Sequence, residues 1–193
     1  GSTMRVLVDL DVGFHRTGTQ SPAAALALAQ TIETLNGVKL AGLFFYPGHV
    51  WDPADKQTDE LRRIDALLAE TIDGWRRAGL QMETVSGGST PTAYQSHLVT
   101  NQNEIRPGTY LYNDMNTARA GFCAIDDCAA RILCTVVSDA VPGKVVIDAG
   151  TKVLTSDRNV TRPDDGFGHV AEYPDAVVLR LSEEHLNASG HGI

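Results

Sequence analysis

The stretch Glu104-Ile105-Arg106-Pro107-Gly108-Thr109-Tyr110, together with the earlier Ser86-Gly87-Gly88-Ser89-Thr90-Pro91-Thr92, says most about how this chain folds. Each stretch contains a glycine turn after an apolar run, so each offers backbone N–H groups to an anion. Arg106 precedes the second turn by two residues. This pairing suits a phosphorylated, flat heteroaromatic ligand, because amides can hold the phosphate while the guanidinium reaches the ring.

Around these turns the chain alternates strand and helix patterns. Arg5 to Leu10 alternates apolar and charged residues, which predicts a strand. Ser21 and Pro22 are typical of a helix start, and Gly37 is typical of a helix end. The predicted order continues with a strand over 38–46, a long helix over 55–78 and a strand over 81–85. A short helix then follows, with Thr90 as N-cap and Pro91 at N1, and a fourth strand is predicted over Tyr110–Tyr112. A βαβαβαβ order implies parallel strands with helical crossovers.

After Asp126 the pattern changes to short apolar runs without a helical period. The runs over 130–138, 144–149 and 176–182 predict antiparallel strands. We therefore predict two parts, an α/β part over 4–125 and a β part over 126–193. Four parallel strands with open edges would be half of an eight-stranded barrel, since exposed edges are a liability. The chain is thus expected to be an excerpt of a longer protein, or to have its sheet completed by another segment.

Composition excludes several classes of partner. The 193 residues carry 24 acidic and 16 basic side chains, a formal charge of -8, and no basic block, so we expect no binding to nucleic acid or to a membrane. Three cysteines (Cys123, Cys128 and Cys134) predict free thiols, packed near Ile132 and Leu133, and a reducing, cytoplasmic location.

Several strings resemble the D-threonine aldolase and D-serine dehydratase group, which belongs to the alanine racemase-like, fold-type III pyridoxal 5'-phosphate (PLP) enzymes. The strings are Val8-Asp9-Leu10-Asp11-Val12-Gly13-Phe14-His15-Arg16-Thr17-Gly18, Gly42-Leu43-Phe44-Phe45-Tyr46-Pro47-Gly48-His49, the two turns quoted above, Val146-Ile147-Asp148-Ala149-Gly150-Thr151-Lys152 and Leu181-Ser182-Glu183-Glu184-His185. The resemblance implies the second half of a (β/α)8 alanine racemase-like barrel, followed by part of an antiparallel β domain.

The same resemblance implies roles for individual residues at the carboxyl ends of the barrel strands, where sites of this fold lie. Arg16 resembles the arginine near the cofactor's phenolic oxygen or the substrate carboxylate, and Tyr46 the ring that lies against the cofactor. His49 would contact the substrate. The phosphate would be held by amides and a hydroxyl of Ser86, Gly87, Gly88, Ser89 and Thr90, helped by the dipole of the helix that follows, and by amides of Gly108 and Thr109.

Arg106 resembles the arginine that donates to the pyridine nitrogen of the cofactor in this class. An arginine is always protonated, so it keeps that nitrogen unprotonated and makes the ring a weaker electron sink than a carboxylate partner would. This suits racemisation, retro-aldol cleavage or β-elimination. The alternative for Arg106 is an ordinary surface cation at a helix end.

The covalent and metal-dependent parts of the family's chemistry have no counterpart here. The Schiff-base lysine of the family lies on the first barrel strand, and none of Lys39, Lys56, Lys144 and Lys152 takes its place. No catalytic residue is therefore assigned to this chain. The resemblance also implies a divalent metal (Mn, Mg or Zn) in the full-length protein, bound by residues beyond Ile193. Within this chain, His185 and His191 are six residues apart, a spacing that is only a weak signal for a metal site.

The resulting expectation is a portion of a PLP-dependent lyase for D-3-hydroxy amino acids, inactive alone and homodimeric in its full-length form. Its reaction would be D-threonine aldolase-type retro-aldol cleavage or D-serine dehydratase-type elimination. The alternatives are an amino-acid racemase of the same fold, a non-catalytic PLP-binding module, and an unrelated α/β domain that binds a sugar phosphate.

Overall fold

The computed structural model describes residues 3–160 and 163–190. The chain divides into two compact units between Tyr110 and Leu111. The predicted division, at 125/126, lies later in the chain. The first unit contains β1 (Met4–Asp9), α1 (Pro22–Glu33), β2 (Val38–Phe44), α2 (Thr58–Arg77), β3 (Thr84–Gly87) and β4 (Glu104–Ile105), with short 3-10 helices at Ala54–Lys56, Ala93–Leu98 and Thr109–Leu111, the last of which runs across the division.

The four strands of the first unit form one parallel sheet in the order β1-β2-β3-β4, as the alternation of strands and helices predicts. Helix α1 begins where Ser21 accepts a bond from the N–H of Ala24 (3.1 Å), with Pro22 at the first helical position. Helix α2 buries one stripe, Leu61, Ile64, Leu68, Thr71, Ile72 and Trp75, against the sheet core. Both predicted helices are thus confirmed, although α2 begins at Thr58 after a separate 3-10 turn.

The predicted fourth strand, Tyr110–Tyr112, is wrong. The strand that pairs with β3 is Glu104–Ile105, and residues 109–111 form a 3-10 helix instead. Asn103 fixes the position of this strand beside β3. Its N–H donates to the carbonyl of Val85 (3.1 Å), and its side-chain oxygen accepts from the N–H of Val85 (2.8 Å). Pairing ends after Arg106, since Pro107 has no N–H to donate. Arg106 therefore follows directly on the carboxyl end of β4.

The predicted third helix, with Thr90 as N-cap and Pro91 at N1, is also wrong. The chain makes a turn at these residues and then a six-residue 3-10 helix, Ala93–Leu98, with Thr92 at its N-cap. The hydroxyl of Thr92 accepts a bond from the N–H of Ser89 (3.0 Å), and this local bond competes with a helical start at Thr90. The predicted contribution to phosphate binding from the dipole of an α-helix that begins at Thr90 therefore has no source here.

The second unit contains α3 (Met115–Arg119), β5 (Val136–Ser138), β6 (Lys144–Ile147), β7 (Val177–Leu181) and β8 (Leu186–Ser189), with 3-10 helices at Ile125–Asp127 and Pro163–Asp165. The strands form an antiparallel sheet in the order β5-β6-β8-β7. Antiparallel pairing was predicted, but β8, between β6 and β7, was not. Its core residues Leu186 and Ala188 are buried, while Asn187 between them is exposed.

The cysteines do not pack where the sequence suggests. Leu133 is fully exposed and Ile132 is about half exposed, so neither forms a core around the thiols. Cys123, Cys128 and Cys134 are half-buried free thiols, as the odd cysteine count predicts. In residues 3–160 and 163–190, no helix is long and apolar enough to cross a membrane.

Candidate functional site

A row of side chains crosses the parallel sheet near its carboxyl edge, one from each strand. The register pairs Asp9 with Phe44, Phe44 with Ser86, and Ser86 with Glu104. Because side chains alternate along a strand, this row lies on the face opposite the neighbouring core residues. The side chain of Arg106 reaches back over this face, so the row and Arg106 form one polar cluster.

Arg106 is fixed by two elements at once. Its Nε donates to the hydroxyl of Ser86 (2.8 Å), its Nη2 donates to the carbonyl of Phe45 (2.8 Å), and its guanidinium lies 3.9 Å from the centroid of the Phe44 ring. Burial lowers the pKa of Arg106, while the nearby carboxylate of Glu104 opposes that shift. The group stays a cation at any physiological pH. Within the part of the chain that the structure describes, no hydrogen bond involves Nη1, which can donate to a ligand.

The two glycine turns lie side by side and present unused amides. The N–H of Tyr110 donates to the hydroxyl of Thr90 (3.2 Å), which ties the second turn to the first. Among the described residues, the N–H groups of Gly88, Thr90, Gly108 and Thr109 have no acceptor. Gly88 and Thr90 are buried residues, whose backbone polar groups normally find partners. The two turns therefore carry four amides that are free to donate to a ligand, and we call this set of amides the cradle.

The hydroxyls of the first turn are already occupied. The hydroxyl of Ser86 donates to the carboxylate of Glu104 and accepts from Arg106, so it positions those side chains. The hydroxyls of Ser89 and Thr92 bond to each other (3.0 Å). The predicted hydroxyl contribution to phosphate binding falls to the Thr90 side chain, beside the unused amides.

The glycines of the first turn are required for steric reasons. A Cβ on Gly87 would lie 2.0 Å from Cζ of Phe45, whose side chain is fully buried. Gly88 has φ +80, in the left-handed region that favours glycine. The backbone can therefore take this conformation only with glycine at these two positions.

Arg16 and Tyr46 come together at the ends of β1 and β2. The Arg16 guanidinium lies 4.9 Å from the ring centroids of both Tyr46 and Phe14, and the two rings meet edge to face at 5.4 Å. The loop that carries Arg16 is held by the Asp11 carboxylate, which accepts from the N–H of Gly13 (2.9 Å) and of His15 (3.0 Å). Burial alone would raise the pKa of Asp11, but these bonds bring it below its usual value.

His49 belongs to a separate cluster beside the same loop. Its Nε2 lies 2.7 Å from Oε1 of Glu60, and Arg63 donates to the Glu60 carboxylate from Nε (2.9 Å) and Nη2 (2.6 Å). Arg63 also donates to the carbonyl of Val12, which ties α2 to the loop after β1. These three side chains line a cavity of about 400 Å³ together with Gly13 and other residues of that loop. His49 is therefore held within the first unit, and its predicted contact with substrate stays a prediction.

The pKa of Glu60 predicts an acid-sensitive contribution to stability. The hydrogen bond from Arg63 is the main cause that lowers this pKa from 4.5 to about 2. A lowered pKa in the folded state stabilises the protein fully above the unfolded value and is lost as pH falls through the folded value. We expect the difference in unfolding free energy between the wild type and Glu60→Gln to shrink between pH 4.5 and 2. Urea unfolding across this range measures it, and an unchanged difference would contradict the assignment.

Sequence patterns missed four residues of these clusters: Asp9, Glu104, Glu60 and Arg63. Asp9 and Glu104 join the Arg106 cluster only through the register of neighbouring strands, which the sequence does not give. Glu60 and Arg63 have the spacing of an ordinary surface ion pair on a helix. The one available signal was the alternation in β1, which places Asp9 opposite the core residues Val8 and Leu10.

None of the four lysines lies at the carboxyl end of a strand in the parallel sheet. Lys39 is the second residue of β2, at the amino edge, where it pairs with Glu83 (2.9 Å). Lys56 ends a 3-10 turn, Lys144 begins β6 and Lys152 pairs with Glu183 (3.5 Å) and with Glu184 in the second unit. None of the four therefore takes the position that the cofactor-bonding lysine needs.

His185 lies in the loop before β8, and His191 lies outside the described residues. Over residues 3–160 and 163–190, no group of three or more histidine, cysteine, aspartate or glutamate side chains has a metal-binding arrangement. No metal-dependent step is therefore assigned to the described residues.

The fold and this cluster define a class of protein. A parallel α/β unit carries an anion cradle and a fixed cation at its carboxyl edge, and an antiparallel β unit follows it in the chain. Residues 1–116 match the family described as alanine racemase, N-terminal domain, and residues 129–191 match the putative serine dehydratase domain. The chain thus belongs to the alanine racemase-like family, and both the fold class and the resemblance inferred from its sequence are confirmed.

Individual relatives agree with this assignment. The chain is 29% identical to D-threo-3-hydroxyaspartate dehydratase of a Delftia species, over 96% of this chain and 52% of that protein. It is 31% identical to D-threonine aldolase of an Arthrobacter species, over 97% and 55%. The crystal structure of D-threonine aldolase from Filomicrobium marinum superposes with a TM-score of 0.78 at 30% identity, over 98% and 51%. The chain therefore spans about half the length of these relatives.

Proposed function

We propose that this chain supplies the phosphate-binding and ring-binding residues of a PLP-dependent lyase that acts on D-configured 3-hydroxy amino acids. The observation that carries the proposal is the pairing of four unused amides with Arg106 at one edge of the sheet. The residues fit the cofactor, because the cradle offers donors for a dianion, and a cation held by Ser86 and Phe45 lies at the neighbouring strand end. Two relatives that match almost the whole chain, a D-threo-3-hydroxyaspartate dehydratase and a D-threonine aldolase, are lyases of this substrate class, which supports the same assignment.

Each residue of the cluster has a defined task in this proposal. The amides of Gly88, Thr90, Gly108 and Thr109 hold the phosphate, while Nη1 of Arg106 donates to the pyridine nitrogen and keeps it unprotonated. When bound, PLP withdraws electron density from the α-carbon of an amino acid and so weakens the bonds around it.

Three further residues complete the proposed site. The Tyr46 ring lies against the cofactor and is held edge-on by Phe14. Arg16 donates to the phenolic oxygen of the cofactor or to the substrate carboxylate, and His49 contacts the substrate.

The second unit favours a lyase over two of the alternatives, the PLP-binding module and the sugar-phosphate domain. Residues 129–191 match a serine dehydratase domain, which neither a stand-alone PLP-binding module nor a sugar-phosphate domain would carry. The aldolase and the dehydratase relatives match with similar identity, so the proposal covers both retro-aldol cleavage and dehydration. Homodimer formation, a cytoplasmic location and a divalent metal bound outside the described residues remain predictions of this proposal.

The cradle predicts that binding depends on the phosphate. We expect PLP to bind the purified chain on the order of a hundredfold more tightly than pyridoxal, equivalent to about 2.8 kcal/mol. A charge-assisted bond to an amide contributes about 1.5–3 kcal/mol, and the lost hydration of the phosphate offsets much of the sum over four amides. Absorbance titration measures both affinities, with inorganic phosphate as a competitor of PLP. Equal affinities for PLP and pyridoxal would contradict the cradle.

Two further measurements separate the alternatives. Binding of ribose 5-phosphate as tight as that of PLP would favour the sugar-phosphate domain instead. In the same preparation we expect no conversion of D-threonine to glycine and acetaldehyde, since the cofactor-bonding lysine has no candidate among Lys39, Lys56, Lys144 and Lys152.

A further inference from the structure

The cluster of His49, Glu60 and Arg63 lies outside the cofactor cradle, and its arrangement needs a separate explanation. The imidazole is about three-quarters buried, with Nε2 against Glu60, and it packs on the backbone of Gly13. A Cβ on Gly13 would come within 3.1 Å of Nε2 and 2.9 Å of Nη2 of Arg63. The His49 ring thus packs between the loop after β1 and the first turn of α2.

The charge on Glu60 decides which nitrogen of His49 carries the proton. A carboxylate can only accept hydrogen bonds, so the nitrogen that faces it, Nε2, must be the N–H. Arg63 holds the carboxylate in place through two bonds and keeps it ionised. In the neutral ring, Nδ1 is therefore the acceptor.

Nδ1 of His49 is buried and has no hydrogen-bond partner among the described residues. A buried acceptor without a partner destabilises the fold, so its presence calls for an explanation. His49 also lines the cavity beside the loop after β1, so a molecule that binds there can bring a donor to this ring. The substrate class of the proposed function carries such a donor, the hydroxyl on the β-carbon.

We propose that Glu60, braced by Arg63, is a positioning residue that fixes His49 as the Nε2–H tautomer, so that Nδ1 accepts a hydrogen bond from the substrate hydroxyl. This inference rests on the proposed function for the identity of the ligand. The tautomer itself depends only on residues of the first unit. The two parts can therefore fail separately.

The first test reads the tautomer directly. In the protein expressed from its full reading frame and loaded with PLP, nitrogen-15 NMR of the His49 ring distinguishes Nε2–H from Nδ1–H. We expect the Nε2–H form to predominate in the wild type and the two forms to mix in Glu60→Gln, whose amide can donate as well as accept. A mixed wild type, or an unchanged ratio in the variant, would overturn the positioning role whatever the enzyme does.

The second test reads the effect on turnover of a D-3-hydroxy amino acid. We expect Glu60→Gln to lower kcat roughly 10- to 100-fold, in line with the loss of a partner that orients a functional histidine. KM should change by less than about threefold, since the hydroxyl is one of several groups that bind. Asp59→Asn is the matched control, because it also removes a carboxylate from the first turn of α2 but lies exposed and away from His49.

The controls separate this inference from the proposed function. Equal kcat for Glu60→Gln and Asp59→Asn would overturn the positioning role while PLP binding and turnover remain. A wild type without PLP binding would instead refute the proposed function, and the tautomer result would still be decided by NMR. If Glu60→Gln does not fold, Glu60→Asp takes its place: it keeps the charge but withdraws the carboxylate by one methylene, and an unchanged tautomer ratio and kcat would overturn the role.

Discussion

Gly87→Ala is expected to lower the free energy of unfolding by about 3 kcal/mol and to abolish PLP binding. The added Cβ would lie 2.0 Å from Cζ of Phe45 and 2.1 Å from Cε1, far inside van der Waals contact. The ring is fully buried in the main core, so it cannot swing aside, and overpacking of this kind costs about 1–3 kcal/mol or more. The strand must shift instead.

A shift of β3 at Gly87 would reach the cradle on both sides. The carbonyl of Gly87 accepts the N–H of Arg106 (2.8 Å), and the next residue, Gly88, supplies one of the four unused amides. Movement of this segment therefore displaces the two turns relative to each other. Because four donors must converge on one phosphate, we expect binding to be lost even at temperatures where the variant remains folded.

Urea unfolding and PLP titration measure the two effects, with Gly74→Ala as the matched control. Gly74 lies in α2, and a Cβ there meets no atom within 4 Å, so alanine should stabilise the helix by up to about 1 kcal/mol. Combining Gly87→Ala with Phe45→Leu should restore part of the loss by making room for the methyl group. Wild-type PLP affinity in the single variant would show that this turn does not hold the phosphate.

Local sequence signals were sufficient to predict the two long helices, which each bury one regularly spaced stripe of residues. Helix α2 follows from the spacing of its buried stripe, and α1 from Ser21 and Pro22, because these features act within one or two turns of helix. The first glycine turn lies at the end of β3 as predicted, but the second follows β4 at Glu104–Ile105 instead of preceding a strand at Tyr110–Tyr112. Parallel strands joined by helices must bring their carboxyl ends to the same edge.

The predictions that failed are those where tertiary contacts override local preference. Tyr110–Tyr112 has high β-propensity, yet Tyr110, Leu111 and Tyr112 are all more than half exposed, and the ladder to β3 is formed by Glu104–Ile105. Strand β8 was missed for the opposite reason. Its residues, Leu186 to Ser189, have weak β-propensity and form a strand because β6 and β7 pair with them on both sides.

The residues of the candidate site also fall into two groups, those that a sequence motif indicates and those that only the strand register brings together. Arg16, Tyr46 and Arg106 were proposed because each lies in a string that resembles a motif of the family. Asp9 and Glu104 were not found, since their place beside Arg106 follows from the register of neighbouring strands. A motif can identify residues that bind a ligand, but it does not reveal residues that hold those side chains in place across the sheet.

Arg106→Met is expected to lower kcat/KM by about a thousandfold in the enzyme expressed from its full reading frame. Loss of one charged donor aimed at a reacting group typically costs 10²–10³-fold. Arg106 also organises its surroundings, since the Phe45 carbonyl and the Ser86 hydroxyl would lose their shared donor and the Phe44 ring its cation. We therefore expect an effect at the upper end of that range.

Arg106→Lys separates charge from geometry in this prediction. An ammonium group keeps the positive charge, but it cannot bond to Ser86 and Phe45 and still present a planar donor to the pyridine nitrogen. We expect the lysine variant to recover stability in urea but less than about a tenth of the lost kcat/KM. Arg62→Met, an exposed position on α2, is the control and should match the wild type. If Arg106→Met retained wild-type turnover and an unchanged PLP absorbance spectrum, Arg106 would be a structural link between β3 and β4, and the ring nitrogen would have to find its partner elsewhere.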